Sequence, residues 1–311
     1  MTREKIKGHI LILITNLLFA VNMPISKYLL PDHLDPFALT IMRMAFACVM
    51  FWIVSLFVQK EHVPLKDLGM LFACAMCGVG FNQGLFIVGL NRTSPIDASI
   101  IATFSPVFVM LLAAMILKEP ITKLKAGGVL VGAVGAILLI ISSAAPTAKA
   151  SGLDGDIMII ISGLSYSFYL VLSKPLTLRY SSVTIMKWMF LFSTLIFLPF
   201  SFQSVIHSPA MNRATIDMLE WSAIAYVLIG ATFLPYLLIP MSLKRIRPTT
   251  ISMYNNVQPV VASLIAVMYG QDRFSLSNVI STVLVCVGVY MVTQSKSRDD
   301  MLSVSQNENC K

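Results

Sequence analysis

Two short stretches carry polar side chains at helical spacing inside otherwise apolar sequence. The first holds Asp97, Ser99, Thr103 and Pro106, and the second holds Ser252, Asn255, Asn256, Gln258 and Pro259. Hydroxyl and amide groups are expensive in hydrocarbon, so residues of this kind mark a path or a binding place for a solute. Each stretch also contains a proline. Pro106 and Pro259 leave backbone carbonyls without N–H partners, which is tolerated at membrane depth where the backbone lines a cavity. The chemistry on offer is recognition by hydrogen bonds. The plainer alternative is hydrogen bonding from one helix to the next, a common use of Ser, Thr and Asn.

Other positions add charge and aromatic character. Asp97 stands at the mouth of its segment, where a carboxylate attracts a cation or an amine, or caps the helix through the dipole. Arg43 and Lys187 lie inside apolar runs. They either hold an anionic group such as a carboxylate or phosphate, or snorkel to an interface. Asn22, Tyr166 and Tyr169 put polar tips into apolar surroundings, as do Asn82, Gln83 and Tyr236. A lining rich in Tyr suits amphipathic or aromatic cargo, although Tyr is also common at membrane interfaces. The expected solute contacts are therefore Asn22, Asn82, Asp97, Ser99, Thr103, Tyr169, Tyr236, Ser252, Asn255, Asn256 and Gln258, with Arg43 and Lys187 as candidate anion-binding residues.

No enzyme emerges from these residues. HExxH, GxSxG, paired-Asp diphosphate and GxxxxGK patterns are all missing from the sequence. Of the five cysteines, Cys48, Cys74, Cys77 and Cys286 sit in apolar runs and Cys310 sits near the end. They read as small buried hydrophobes, since no second Cys/His pair accompanies the CxxC. No metal and no cofactor is expected. Without a nucleotide site, the driving force for transport must be a gradient of an ion or of the substrate.

The elements that position these groups are membrane helices. The 311 residues are 57% hydrophobic and 12% charged, against about 25% charged in an ordinary soluble domain. The net charge of +8 falls mostly in short connections, so it does not indicate nucleic acid. Ten apolar segments are long enough to cross a bilayer, at roughly 9–30, 37–58, 68–90, 95–117, 126–145, 155–175, 183–203, 220–242, 249–270 and 275–294. The first reads as a retained helix because no small-residue cleavage site follows its basic start. The connection at 204–219 is the only one of any size, and the tail from Lys296 reads as disordered.

Basic residues collect on alternate connections, among them Arg3, Lys5, Lys7, Lys60, Lys66, Lys118, Lys123, Lys125, Arg179, Lys244, Arg245 and Arg247. The opposite ends hold only Lys27, Arg92, Lys149, Arg213 and Arg273. Because basic residues stay inside, both termini are expected in the cytoplasm.

The sequence repeats. Residues 68–140 align with 221–293 at a constant offset of 153. That offset places Arg92 on Arg245, Pro95 on Pro248, Pro106 on Pro259, Glu119 on Asp272 and Gly135 on Gly288. Asn82 and Gln83 fall on Pro235 and Tyr236. Thr40–Phe46 (TIMRMAF) matches Thr184–Phe190 (TIMKWMF) at offset 144, which places Arg43 on Lys187. Ser26–Lys27 matches Ser173–Lys174 at offset 147, which places Asn22 on Tyr169. Five helices per copy is an odd number, so the copies must point in opposite directions, as in many secondary transporters. The expected fold is an all-α integral membrane protein of ten transmembrane helices in two inverted five-helix repeats, residues 1–147 and 148–295, followed by a cytoplasmic tail at 296–311. The small residues of Gly127–Ala136 (GGVLVGAVGA) read as a close-packing helix face.

The stretch Arg92–Ile140, with its SPVF, its LKEP and its glycine-bearing fifth helix, resembles the EamA signature of the drug/metabolite transporter superfamily. The stretch Arg247–Thr293 resembles the same signature. It departs in carrying Gln258–Pro259 and Gln271–Asp272 where the family often has EP and GE, so a carboxylate for proton coupling is missing at position 258. The resemblance implies a ten-helix carrier of two EamA repeats in the inner (cytoplasmic) membrane. The expected partners are a small solute and the lipid bilayer, with no nucleic acid, and the protein is expected as a monomer or homodimer. The resemblance also implies export of amino acids or related metabolites by alternating access. The cavity would be lined by helices 1, 3, 4, 6, 8 and 9, with helices five and ten set aside from the moving bundles. An importer or exchanger of another solute, a channel, or a non-transporting membrane protein are the alternatives.

Overall fold

The computed structural model describes residues 3–29, 35–93, 95–142, 153–206, 217–268 and 276–295. Among them every regular element is a helix. In chain order these are α1 (Arg3–Leu29), α2 (Pro36–Ser55), α3 (Leu65–Ala75), a π segment (Met76–Phe81), α4 (Asn82–Arg92), α5 (Pro95–Ala102), α6 (Ser105–Ile116) and α7 (Lys123–Ser142). There follow α8 (Leu153–Arg179), α9 (Ser182–Ile206), α10 (Met218–Ala225), a second π segment (Tyr226–Phe233), α11 (Leu234–Arg245), α12 (Pro248–Asn255), α13 (Val257–Met268) and α14 (Leu276–Gln294). Six stretches are long and apolar enough to cross a membrane: Phe37–Ser55, Leu65–Phe86, Lys123–Ile141, Leu153–Arg179, Ser182–Pro199 and Met218–Arg245. Ile100–Ile116 and Val279–Gln294 are shorter apolar helices. The tail from Lys296, most of the connection after α9, and Gln271–Asp272 lie outside the described residues.

Caps and prolines set the boundaries. Asp35 accepts hydrogen bonds from the amides of Phe37 and Ala38, and Pro36 supplies the fixed φ of a first helical turn. The fourth and ninth apolar segments are each expected as one helix, and each is divided. α5 stops at Ala102 and α12 stops at Asn255, the residues whose carbonyls Pro106 and Pro259 cannot reach with an N–H. The third and eighth segments are each widened instead by a π segment, a form that appears mostly as local insertions. In the second π segment the Thr232 hydroxyl donates to the carbonyl of Val227, five residues back, at 2.8 Å.

By packing, the chain divides into two units, Met1–Ile87 with Leu172–Ile246, and Val88–Val171 with Arg247–Lys311. Each draws on both halves of the sequence. In the first, Gly8 on α1 approaches the end of α11, where a Cβ would meet Arg245 Cβ at 2.9 Å. The Ser242 hydroxyl donates to the Gly8 carbonyl at 2.8 Å, and Arg245 pairs with Glu4 at 2.9 Å. Hydrogen bonds from Lys7 and Arg245 hold the exposed Glu4 carboxyl below the usual carboxylate range.

The second unit has the counterpart of this contact. Gly155 on α8 meets the end of α4, with the Gly89 carbonyl 2.9 Å from its would-be Cβ, and Arg92 pairs with Asp154 at 3.2 Å. Gly89 and Arg92 are Ser242 and Arg245 at the offset of 153.

In the second unit α7 and α14 pack through glycine. A Cβ on Gly288 would lie 2.6 Å from the Gly132 nitrogen and 2.7 Å from the Gly128 oxygen. One on Gly135 would lie 2.9 Å from both the Val285 nitrogen and the Ser281 oxygen. The offset converts each contact into the other, so the interface is self-complementary, as a two-fold contact is. Later residues on one helix meet earlier residues on the other, so these two helices run antiparallel. Met110, Val129, Met253 and Val292 form a buried cluster in the same unit.

Near the start of α7, Lys125 is fully buried and donates to Glu119 at 2.7 Å, the latter's side chain being 11% exposed. Breaking such a pair strands a buried charge, at about 3–5 kcal/mol. Glu119→Gln is therefore expected to lower the midpoint of thermal unfolding in detergent sharply. Glu119→Gln combined with Lys125→Met should recover most of the loss.

Candidate functional site

The first unit holds a polar group set among aromatic rings. Arg43 on α2 donates through Nε to the Thr232 hydroxyl at 2.7 Å and through Nη2 to the Ala231 carbonyl at 3.3 Å. The local sequence explains the second contact. Pro235 has no N–H to return to the carbonyl four residues back, and that carbonyl belongs to Ala231. The guanidinium takes its place. Among the described residues Arg43 has no carboxylate partner, and three of its five N–H donors are left over after these two bonds.

Gln83 on α4 donates to the Tyr236 hydroxyl at 3.0 Å. These two residues are each other's repeat equivalents at the offset of 153, so this bond, like the contact of α7 with α14, lies at a local two-fold relation. Tyr236 packs edge-on against Phe190 at 5.0 Å, and Phe190 stacks with Phe51 at 5.6 Å. Asn22 is half-buried on α1 and accepts from Ser26 at 3.1 Å. Asn82 is half-buried beside Gln83.

Lys187 sits where Arg43 does in the repeat, yet its neighbours differ. Its ammonium lies 5.3 Å from the Trp52 ring centroid and 6.0 Å from that of Trp188. The position matching Pro235 is Asn82, which keeps its N–H. That N–H donates to the Val79 carbonyl.

The second unit holds the remaining candidates. Thr103 and Ser252 are buried and turn their hydroxyls back onto their own helices, at Ile100 (2.7 Å) and Thr249 (2.9 Å). Both bonds satisfy the hydroxyl within its own helix, whereas the alternative expected from the sequence is bonding from one helix to the next. Asn256 is 3% exposed and its amide nitrogen meets no acceptor among the described residues. That nitrogen lies over Gly132, 3.8 Å from the position of a Cβ there. Asn255, Gln258 and Pro259 are half-buried, Pro106 is buried, and Tyr169 is buried with its ring 5.9 Å from Tyr166. Asp97 and Ser99 lie on α5, and their side chains fall outside the described residues.

Sequence reasoning missed Thr232 and undervalued Gln83. The signal for Gln83 was present, since the offset lays it on Tyr236. Thr232 stands one turn before Pro235, and nothing in its apolar run marks it. Two further cation contacts were not foreseen. Lys174 donates to the carbonyls of Leu243 and Ile246 at the end of α11. Arg179 and Tyr180 both reach Asp67. No group of three or more metal-ligating side chains occurs among the described residues.

A family model for EamA-like transporters matches residues 6–141 and again 153–294. The chain belongs to the EamA-like transporter family. It is therefore a multi-pass membrane protein of a transporter family, not of an enzyme family.

Relatives of this EamA-like chain include the uncharacterized transporter YyaM of Bacillus subtilis (strain 168), 26% identical over 85% of this chain and 86% of the relative. An uncharacterized transporter of Archaeoglobus fulgidus is 24% identical over 92% and 97%. Protein WALLS ARE THIN 1 of Arabidopsis thaliana is 25% identical over 90% and 78%. A solved crystal structure superposes with a TM-score of 0.76 at 16% identity, covering 92% of this chain and 96% of that one, which establishes likeness of fold.

Proposed function

We propose that this EamA-like protein is a secondary carrier that exports small metabolites, amino acids or related compounds among them, by alternating access. It has ten crossings in two inverted repeats, residues 1–147 and 148–295, and lies in the cytoplasmic membrane with both termini inside. Three observations support the inversion. α7 and α14 are repeat equivalents and run antiparallel. Gln83 bonds its own equivalent, Tyr236. The glycine and arginine contacts of α1 with α11 recur between α8 and α4.

The observation that carries the transport reading is Arg43, with Gln83 and Tyr236 in the same unit. It is a cation in an apolar helix, without a carboxylate partner among the described residues and with N–H donors to spare. Intramembrane charge of this kind is costly and belongs with a functional pathway. A carboxylate on the cargo would complete its hydrogen bonding. Asn256 contributes a second buried donor awaiting an acceptor.

Counterflow in proteoliposomes tests the reading. Vesicles loaded with an amino acid should accelerate uptake of the labelled compound, which a channel does not do. Asn255→Leu and Asn256→Leu should each cut that flux at least tenfold while folded protein is recovered in normal yield. Unchanged flux removes both residues from the site.

A further inference from the structure

We infer that Lys187, with Trp52, Trp188 and neighbouring Phe rings, forms a binding site for the phosphate of an anionic phospholipid, in the leaflet that contains the start of α9.

The residues meet from three helices. Trp52 on α2 packs edge-on against Trp188 on α9 at 5.6 Å, Trp188 stacks on Phe192 at 5.9 Å, and Phe192 packs edge-on against Phe72 on α3 at 5.6 Å. The ammonium of Lys187 lies against the two indoles. The rings are not part of a core. Trp52 is 38% and Phe72 43% exposed, and Val49 and Ile53 on the same helix as Trp52 are 57% and 45% exposed. An exposed surface this apolar, on a helix long enough to cross a bilayer, is one that faces acyl chains.

A cation at that place has a limited choice of partners. Lys187 is the sixth residue of α9, about 7.5 Å along the axis from its first residue, so its four-carbon stem returns the ammonium to the level of the headgroups. Its contacts among the described residues are the two indole faces, and no carboxylate is within ion-pair distance. The indoles hold the ammonium by cation–π attraction and leave its N–H groups free to donate. Tryptophan itself favours the interface, where its ring meets acyl chains and its N–H meets headgroup oxygens.

An aqueous solute would have to cross the lipid-facing surface to reach this point, whereas a phospholipid phosphate is already there. Nearby charge favours an anion. Lys60 is exposed in the connection leading into α3, and Lys66 is exposed in the first turn of α3. The carboxylates of that region are engaged elsewhere, Glu61 by Ser181 and Asp67 by Arg179 and Tyr180. Arg43, the repeat equivalent, is turned onto Ala231 and Thr232 and takes no part. With the N-terminus inside, this is the cytoplasmic leaflet, whose anionic lipids attract such segments.

Tryptophan fluorescence tests the site directly, because two of the three tryptophans of the chain form it. The full-length protein is reconstituted in phosphatidylcholine containing a small, equal fraction of either brominated phosphatidylglycerol or brominated phosphatidylcholine. Phosphatidylglycerol should quench at least twice as strongly at equal mole fraction. The preference should vanish in Lys187→Gln and survive in Lys187→Arg. Equal quenching by the two lipids in the unaltered protein overturns the inference, as does a preference that Lys187→Gln leaves intact. Should Lys187→Gln not fold, competition decides. Unlabelled phosphatidylglycerol must relieve the quenching at a fraction where phosphatidylcholine and soluble glycerol phosphate do not. Relief by all three alike also overturns the site.

Discussion

Gly288→Val will leave little folded protein in the membrane fraction, and Gly288→Ala will lower the unfolding midpoint by several degrees. A methyl at this position would lie 2.6 Å from the backbone nitrogen of Gly132 and 2.7 Å from its Cα and from the Gly128 oxygen. No rotamer change relieves a collision with backbone. α7 and α14 must move apart, and helix association in lipid depends on close packing because the hydrophobic effect does not drive it. Overpacking of this kind costs about 1–3 kcal/mol for a single methyl, and the two further methyls of Val add to it. Gly135→Ala should behave alike, since its neighbours are the backbone of Ser281 and Val285. Gly69→Ala, with nothing within 4 Å, is the control and should match the parent in size-exclusion thermostability. Equal midpoints for Gly69→Ala and Gly288→Ala would show that the two helices are not in contact.

That interface was legible in the sequence in part. The small residues of Gly127–Ala136 and the alignment of Gly135 on Gly288 marked a close-packing face. They did not say that the two equivalent helices pack on each other. The broken fourth and ninth segments follow from Pro106 and Pro259, whose missing N–H groups fall on Ala102 and Asn255, where α5 and α12 end. The π segments were not legible. One precedes Pro235 and the other contains Gly78 and Gly80, and an inserted backbone turn leaves no periodic signature of its own.

The pairing of Arg43 with Lys187 was read from the repeat as symmetry of role. The structure separates them, because the Arg43 guanidinium reaches Thr232 and Ala231 whereas the Lys187 ammonium lies against Trp52 and Trp188. Hydrogen bonds that tie distant segments, such as Ser181 with Glu61 and Tyr180 with Asp67, depend on folding that no local pattern encodes.

Arg43→Gln will separate carboxylate recognition from scaffolding. Glutamine keeps donors for Thr232 or the Ala231 carbonyl, and both are neutral acceptors that an amide can serve. It removes the charge that a carboxylate would meet. Charge-assisted bonds are roughly twice as strong as neutral ones, so an amino acid should lose far more transport than its carboxamide, which presents no anion. The expected result in proteoliposomes is a fall of at least tenfold in the ratio of the two rates, equivalent to about 1.4 kcal/mol.

Arg43→Lys keeps the charge and loses the planar fork that spans Thr232 and Ala231. It should therefore lower stability while preserving the preference for the acid. Thr232→Val removes the Nε partner together with that hydroxyl's own bond to the Val227 carbonyl, and it should weaken both substrates equally. A parallel loss for acid and amide in Arg43→Gln would assign the guanidinium wholly to the carbonyl that Pro235 leaves open. Asn255 and Asn256 would then be the residues on which solute recognition has to be sought.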